Sequence, residues 1–163
     1  MGWLIHYCTP VAARMQRENL VQSGLCSNTK ELNHTIKANI AETGKAILET
    51  LAIWQWPERK ALQLVHHCSN WHLVEEALKK GKGLIFLTPH LGCFEITSIY
   101  YASQHPITIL FRPPKKSWLS PIVDAGRMKG QVKLAPANTQ GVRLLIQALK
   151  RGEAIGILPD QIP

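Results

Sequence analysis

The sequence lacks several features that would place a protein directly in a familiar class. Its four cysteines form no Cys-x-x-Cys pair, and we interpret them as reduced thiols in a cytosolic compartment. No apolar stretch is long enough to cross a bilayer, and no basic leader of a signal peptide is present. The Gly-x-Ser-x-Gly pattern of a nucleophilic serine and the motifs of nucleic-acid-binding domains are also missing. From these absences we expect a soluble or peripheral protein with reduced thiols.

Acidic residues are scarce in the second half of the chain. Of the 19 Lys and Arg and 11 Asp and Glu residues, residues 82–163 carry 10 basic and 4 acidic ones. Between His105 and Arg151 the single acid is Asp124. This half is predicted to create a positive potential, which suits phosphates, anionic lipid or an acidic protein as partners. The length of 163 residues, with 45% apolar and 18% charged residues, predicts one folded domain.

Apolar periodicity divides this domain, residues 1–163, into a helical part, 1–81, and an α/β part, 82–163. Residues 1–27 show no regular pattern. Helices are predicted from Asn28 to Trp54, from Glu58 to about Cys68, and over 73–80. Strands at 84–88, 107–111, 132–134 and 154–158 then alternate with helices at about 92–102, 120–128 and 139–149. This alternation predicts βαβ units and a mainly parallel sheet, incomplete at its C-terminal edge.

The best candidate for chemistry is His90, which follows the first predicted strand directly after Pro89. Open α/β sheets bind their ligands at this position, in the crevice beyond the strand ends. Glu95 lies in the first turn of the next predicted helix, from where its carboxylate can reach back to one ring nitrogen of His90. Such a bond fixes the tautomer and leaves the other nitrogen free to take a proton from a hydroxyl. A turn histidine followed by a solvated first-turn acid is the alternative, because His-x4-Glu alone is a weak pattern.

Residues 83–95 (GLIFLTPHLGCFE) resemble the first signature block of the lipid A biosynthesis acyltransferases. These late lauroyl and myristoyl acyltransferases belong to the glycerolipid acyltransferase superfamily with its His-x4-Asp/Glu motif. Three later segments agree in order: FRPPK at 111–115, Gly126-Arg127 followed by a helix from Gly141, and LPDQ at 158–161. Family members usually carry an N-terminal membrane anchor and continue beyond the Pro-Asp block. The resemblance therefore implies a fragment, truncated at the C-terminus and at the N-terminal anchor.

The resemblance implies an O-acyltransferase of lipopolysaccharide biosynthesis at the cytoplasmic face of the inner membrane. Such an enzyme transfers a fatty acyl group from acyl carrier protein to a hydroxyl of a lipid A precursor or another anionic glycolipid. His90 would be the general base and Glu95 its orienting partner. Arg112 and Arg127 would contact phosphate or headgroup, and Asp160 would lie at the rim of the site. No cofactor or metal is implied, and solvated arginines and a turn aspartate are the alternatives for these last three residues.

Three other functions stay open from the sequence. An acyltransferase of the same fold could act on a lysophospholipid or another glycolipid, also from a coenzyme A thioester. A basic, non-enzymatic binding module is supported by the net charge of +8 and by Trp118 near Lys115 and Lys116, although nucleic acid is not a predicted partner. Metal binding would rest on one loose set of possible ligands: His66, His67, Cys68 and His72.

Overall fold

A computed structural model describes residues 2–114 and 116–160, with the side chain of Ile5 left out. The chain forms two compact units, residues 1–51 and 52–163. Helix α3, Thr29–Gln55, continues across this boundary, so its last turn belongs to the second unit. None of the helices in the described part of the chain has both the length and the apolar character that crossing a membrane requires.

The first unit contains α1, Gly2–Cys8, α2, Pro10–Gln22, and the larger part of α3. The prediction of irregular structure over residues 1–27 is wrong. Helix α2 buries no residue, so it has no apolar stripe for periodicity to reveal. Its start is marked in the sequence only by Pro10, in the first helical turn after Thr9.

The start of α3 confirms the predicted cap at Asn28. The Asn28 side-chain oxygen accepts from the backbone N–H of Glu31 at 2.9 Å, and the Glu31 carboxylate accepts from the backbone N–H of Ser27 at 2.8 Å. These two bonds satisfy backbone donors that have no partner inside the helix.

The second unit is built on four parallel strands, which confirms the predicted α/β class. They are β1, Leu84–Leu87, β2, Ile107–Phe111, β3, Val132–Pro136, and β4, Ala154–Ile157. Their order across the sheet is β1-β4-β2-β3. The last strand in the chain therefore lies between the first and the second. As a result, residues that follow β1 become neighbours of residues that follow β4.

Five helices accompany the sheet: α4, Glu58–Leu62, α5, Trp71–Lys79, α6, Glu95–Ala102, α7, Ser120–Arg127, and α8, Thr139–Lys150. The helix predicted to reach Cys68 ends at Leu62, and Asn70 is in the left-handed conformation just before α5. Cys68 and His72 are thus not one turn apart on a single helix. Across the described residues, no group of three or more His, Cys, Asp or Glu side chains could hold a metal ion.

The two faces of the sheet have separate cores, because alternate strand residues point to opposite sides. On one face, Ile107 and Ala154 pack with Tyr101 of α6, and Trp71 and Val74 of α5 pack against this cluster. On the other face, Leu145 and Ala148 of α8 pack on Ala135 and Ile155. The face under α5 and α6 is the one that carries the site.

Candidate active site

A cavity of about 780 Å³ extends along the sheet face that α5 and α6 cover. This volume is typical of small-molecule sites, which enclose about 300–1,000 Å³. Four of the five predicted site residues line the cavity: His90, Glu95, Arg112 and Arg127. The fifth, Asp160, contacts His90 directly. The structure therefore brings the five predicted residues together at one cavity, but it pairs them differently from the prediction.

His90 pairs with Asp160 and not with Glu95. The Nδ1 atom of His90 lies 2.8 Å from Oδ1 of Asp160, and the backbone N–H of His90 donates to Oδ2 at 2.7 Å. The predicted contact between Glu95 and the His90 ring is therefore wrong. Helix α6 begins at Glu95 rather than at Gly92, and the Glu95 carboxylate bonds to Arg127 instead.

Strand register explains why His90 and Asp160 meet. Leu87 of β1 pairs with Ile157 of β4, and the N–H of Thr88 donates to the carbonyl of Ile157 at 3.0 Å. His90 and Asp160 each follow three positions after those paired residues, and each comes directly after a proline. The repeated strand–Pro–polar pattern is the signal that could have linked them, once β1 and β4 were known to be adjacent.

Hydrogen bonds from His90 lower the pKa of the Asp160 carboxyl, the backbone N–H first and the ring second. Asp160 is therefore a carboxylate at neutral pH and accepts from both donors. The Phe94 ring lies edge-on to His90, with 4.8 Å between ring centroids. The imidazole is thus fixed on its Nδ1 side and on one ring face. Among the described residues, its Nε2 atom has no hydrogen-bond partner.

The hydroxyl groups of Thr97 and Ser98 bond to their own helix rather than to His90. Thr97 Oγ1 donates to the carbonyl of Phe94 at 2.7 Å, and Ser98 Oγ donates to that of Glu95 at 3.0 Å. Such bonds to the preceding turn are common for helical Ser and Thr. Neither of these two hydroxyl groups is therefore a partner of the His90 ring in the described structure.

Glu95 forms an ion pair with Arg127 in the cavity wall. Nε of Arg127 donates to Oε1 and Oε2 of Glu95 at 3.0 and 3.2 Å, and Nη2 donates to Oε1 at 2.5 Å. The Glu95 side chain is 6% exposed and that of Arg127 is 24% exposed. A carboxylate buried this deeply requires a cation, and its place at the N-terminus of α6 adds a favourable dipole. The pair therefore ties α6 to the end of α7.

The end of α7 is supported by the last turn of α3 within the same unit. A side chain on Gly126 would overlap the Trp54 ring, so only glycine fits beneath it. The guanidinium of Arg127 lies 5.6 Å from the Trp54 ring centroid. Lys129 donates to the carbonyls of Ile53 and Trp56, and burial lowers its pKa. The sequence does not reveal this support, because no motif links residues so far apart.

Arg112 lies at the cavity mouth, immediately after β2. Its side chain is exposed, and it forms no ion pair or hydrogen bond with the described residues. An unpaired guanidinium at the carboxyl ends of parallel strands can bind a phosphate or carboxylate through two N–H groups. Lys115 and Gln161, which belong to the motif blocks, lie outside the described residues.

Comparison with known proteins identifies the family of the chain. A family model described as bacterial lipid A biosynthesis acyltransferase matches residues 1–162. The lipid A biosynthesis palmitoleoyltransferase of Escherichia coli (strain K12) is 24% identical over 151 residues, 89% of this chain and 46% of the relative. The lauroyltransferase of the same organism is 21% identical over 131 residues, 80% and 42% of the two chains. The chain thus spans less than half the length of these curated relatives. With residues 1–162 matched by the family model, it belongs to the bacterial lipid A biosynthesis acyltransferase family.

Proposed function

We propose that the protein transfers a fatty acyl group from acyl carrier protein to a hydroxyl of a lipid A precursor. The observation that carries this proposal is the His90–Asp160 pair at a cavity with a largely apolar lining. Among the described residues, the outer ring nitrogen of His90 has no hydrogen-bond partner. Family membership supports the same reaction class, because the matched relatives are named as lipid A acyltransferases.

His90 acts as the general base in this proposal. Its Nε2 atom removes the proton from the acceptor hydroxyl while the hydroxyl oxygen attacks the carbonyl carbon of the acyl thioester. The new C–O bond forms, the C–S bond breaks, and the proton passes from the imidazolium to the departing thiolate. Asp160 keeps the Nδ1 proton in place and stabilises the imidazolium. The orienting role first assigned to Glu95 thus belongs to Asp160.

The two arginines have different roles in this proposal. Arg112 is exposed at the cavity mouth and binds a phosphate of the lipid or of the acyl donor. Arg127 also lines the cavity, but Nε and Nη2 bond to Glu95. It therefore holds the cavity wall and has only its remaining N–H groups for substrate.

We also propose that the mouth of the site faces the inner membrane from the cytoplasmic side. Arg112 and Lys116 follow β2, and Trp118, 65% exposed, lies in the short turn after them. Basic residues next to an exposed tryptophan favour an anionic lipid surface. An acyl chain bound in the cavity would then reach a hydroxyl of a membrane lipid.

An acyl-transfer assay with the full-length protein tests the proposal. His90→Ala should lower the turnover of acyl-carrier-protein thioester and lipid A precursor by about 10²–10⁴-fold, the usual contribution of a general base. His72→Ala is the matched control, because His72 is exposed and lies outside the cavity lining.

Two results would contradict the proposal. Activity of His90→Ala within a few-fold of wild type would remove His90 from the mechanism. Transfer to a lysophospholipid from coenzyme A, with none to the lipid A precursor, would refute the proposed substrates. The proposed acyl-transfer chemistry would still stand.

A further inference from the structure

We infer that Gly156 determines how long an acyl chain the cavity accepts. The inference rests on the proposed acyl transfer and adds a residue that decides specificity. Gly156 lies in the interior of β4 and is one of the residues that line the cavity. A glycine inside a strand often marks a place where a ligand or another backbone approaches closely.

Three adjacent strands form the floor of the cavity near Gly156. Phe86 of β1 and Ile109 of β2 are both register partners of Gly156, so the three residues form a row across the sheet. In-register residues of parallel strands point to the same face, and all three line the cavity. The middle residue of this row, Gly156, has no side chain. The floor is therefore lowered along β4.

This lowered floor lies halfway along the cavity. Phe111, at the carboxyl end of β2 next to the reactive side chains, and Ile107, at its amino end, both line the cavity. These two residues are separated by about 13 Å at roughly 3.3 Å per strand residue. Gly156 pairs with Ile109, midway between them. An acyl chain held at His90 must therefore pass over Gly156 to reach the inner end near Trp71 and Val74.

The space above Gly156 is open to a small side chain. A Cβ atom built there would lie 3.4 Å from Cγ1 of Ile109 and 3.6 Å from Cδ1 of Ile107, which are ordinary contacts with the neighbouring strand. Gly126 and Gly141 differ, because a Cβ there would overlap the Trp54 ring and the Pro136 carbonyl. Alanine thus fits at position 156, and a larger side chain projects into the cavity.

Backbone conformation does not require glycine at position 156. Gly156 is absent from the glycines with positive φ, and its strand geometry is open to every L-residue. Strand interiors usually disfavour glycine. A side chain at this position would occupy part of the cavity. In an acyltransferase, that part of the cavity holds the acyl chain.

The test compares variants of the full-length protein on a series of acyl-carrier-protein thioesters with graded chain lengths. Gly156→Ala should move the preferred length towards shorter chains, and Gly156→Val should move it further. The Gly156→Val variant should lower transfer of the longest accepted chain, relative to a shorter one, by about tenfold or more. One methylene in an apolar pocket changes discrimination between substrates by roughly 10–200-fold. Val74→Ala enlarges the inner end and should shift the preference towards longer chains.

Ile85→Phe is the matched control for added volume. Ile85 is 53% exposed on β1 and is not among the residues that line the cavity, so the chain-length profile should not change. An unchanged profile in Gly156→Ala and Val74→Ala, both folded by circular dichroism, would overturn the inference even if Gly156→Val does not fold.

Binding of free fatty acids separates this inference from the proposed function. If the wild type transfers no acyl chain, the proposed function fails, and displacement of a fluorescent fatty acid by acids of graded length then tests Gly156 alone. A shift towards shorter acids in Gly156→Ala supports the inference. Identical displacement profiles for the variant and the wild type overturn it.

Discussion

His90–Asp160 and Glu95–Arg127 are two polar pairs at the same cavity, and they differ in exposure and in what they leave free. The side chains of the first pair are 30% and 38% exposed, whereas those of the second are 6% and 24% exposed. In the first pair one ring nitrogen stays available. In the second, both carboxylate oxygens accept hydrogen bonds from Arg127. The accessible pair is suited to proton transfer, and the buried pair holds two helices together.

This difference changes the meaning of the His-x4-Glu motif. The histidine and the glutamate are neighbours in sequence, yet each pairs with a residue from a distant segment, 70 and 32 positions away. The motif therefore consists of one member of each of two pairs. Substitutions in the two pairs are therefore expected to affect different properties: turnover for the pair of the histidine, and stability for the pair of the glutamate.

The largest expected effect is on catalysis in the accessible pair. His90→Ala should lower turnover by about 10²–10⁴-fold while the free energy of unfolding changes by less than about 1 kcal/mol, because partly exposed pairs contribute little to stability. Parallel turnover and urea-denaturation measurements check this. A large loss of stability would mean that His90 is part of the scaffold.

The buried pair should show the opposite behaviour. Arg127→Ala should destabilise the fold by about 3–5 kcal/mol, because it leaves the Glu95 carboxylate buried without a cation. Arg151→Ala is the matched control: Arg151 binds Glu153 from an exposed position, and its loss should cost much less stability than the loss of Arg127. Equal losses in urea denaturation for the two variants would refute the structural role of Glu95–Arg127.

Asp160→Asn tests the comparison through turnover and through the pH dependence of stability. Turnover should fall at least about tenfold, because the amide carries no charge to stabilise the imidazolium. Contact with His90 lowers the pKa of Asp160, so its contribution to stability is present above the ordinary carboxyl value near 3.9 and is lost as pH falls through the lower folded value. The stability difference between wild type and Asp160→Asn should therefore shrink below about pH 4. A difference independent of pH would contradict this.

The smallest effect is expected at Tyr101, a polar cavity residue whose hydroxyl is buried without a hydrogen-bond partner in the described structure. Tyr101→Phe should be neutral or stabilise the protein by up to about 1 kcal/mol. Burial raises the pKa of Tyr101 to about 12, so its contribution to stability is present below the ordinary value near 10 and is lost as pH rises towards 12. The change in phenolate absorbance near pH 12 should be smaller in the variant than in the wild type, because one of the three tyrosines is removed. A clear loss of stability would reveal a partner for the hydroxyl.

The sequence predicted much of the second unit because its apolar periodicity is local. Strand β2 and the helix cap at Asn138 were located correctly, and α7 was predicted within one residue of its observed end. Helix α2 could not be recognised in the same way, because a helix without a buried face leaves no apolar stripe.

The pairing at the site could not be predicted, because it depends on strand order. Asp160 reaches His90 only because β4 lies next to β1, although two strands and three helices separate them in the chain. A sequence pattern fixes which residues end the strands. It does not fix which strands become neighbours, and sequence proximity therefore favours Glu95, the nearer acid, as the partner.

NMR of the His90 ring nitrogens in isotopically labelled protein tests the central claim most directly, with His90→Ala to assign the signals. Under mildly alkaline conditions we predict that the neutral ring carries its proton on Nδ1 and that Nε2 is bare. This preference should be lost in Asp160→Ala and kept in Glu95→Gln. A proton on Nε2 in the wild type, or a preference that depends on Glu95 and not on Asp160, would contradict the account.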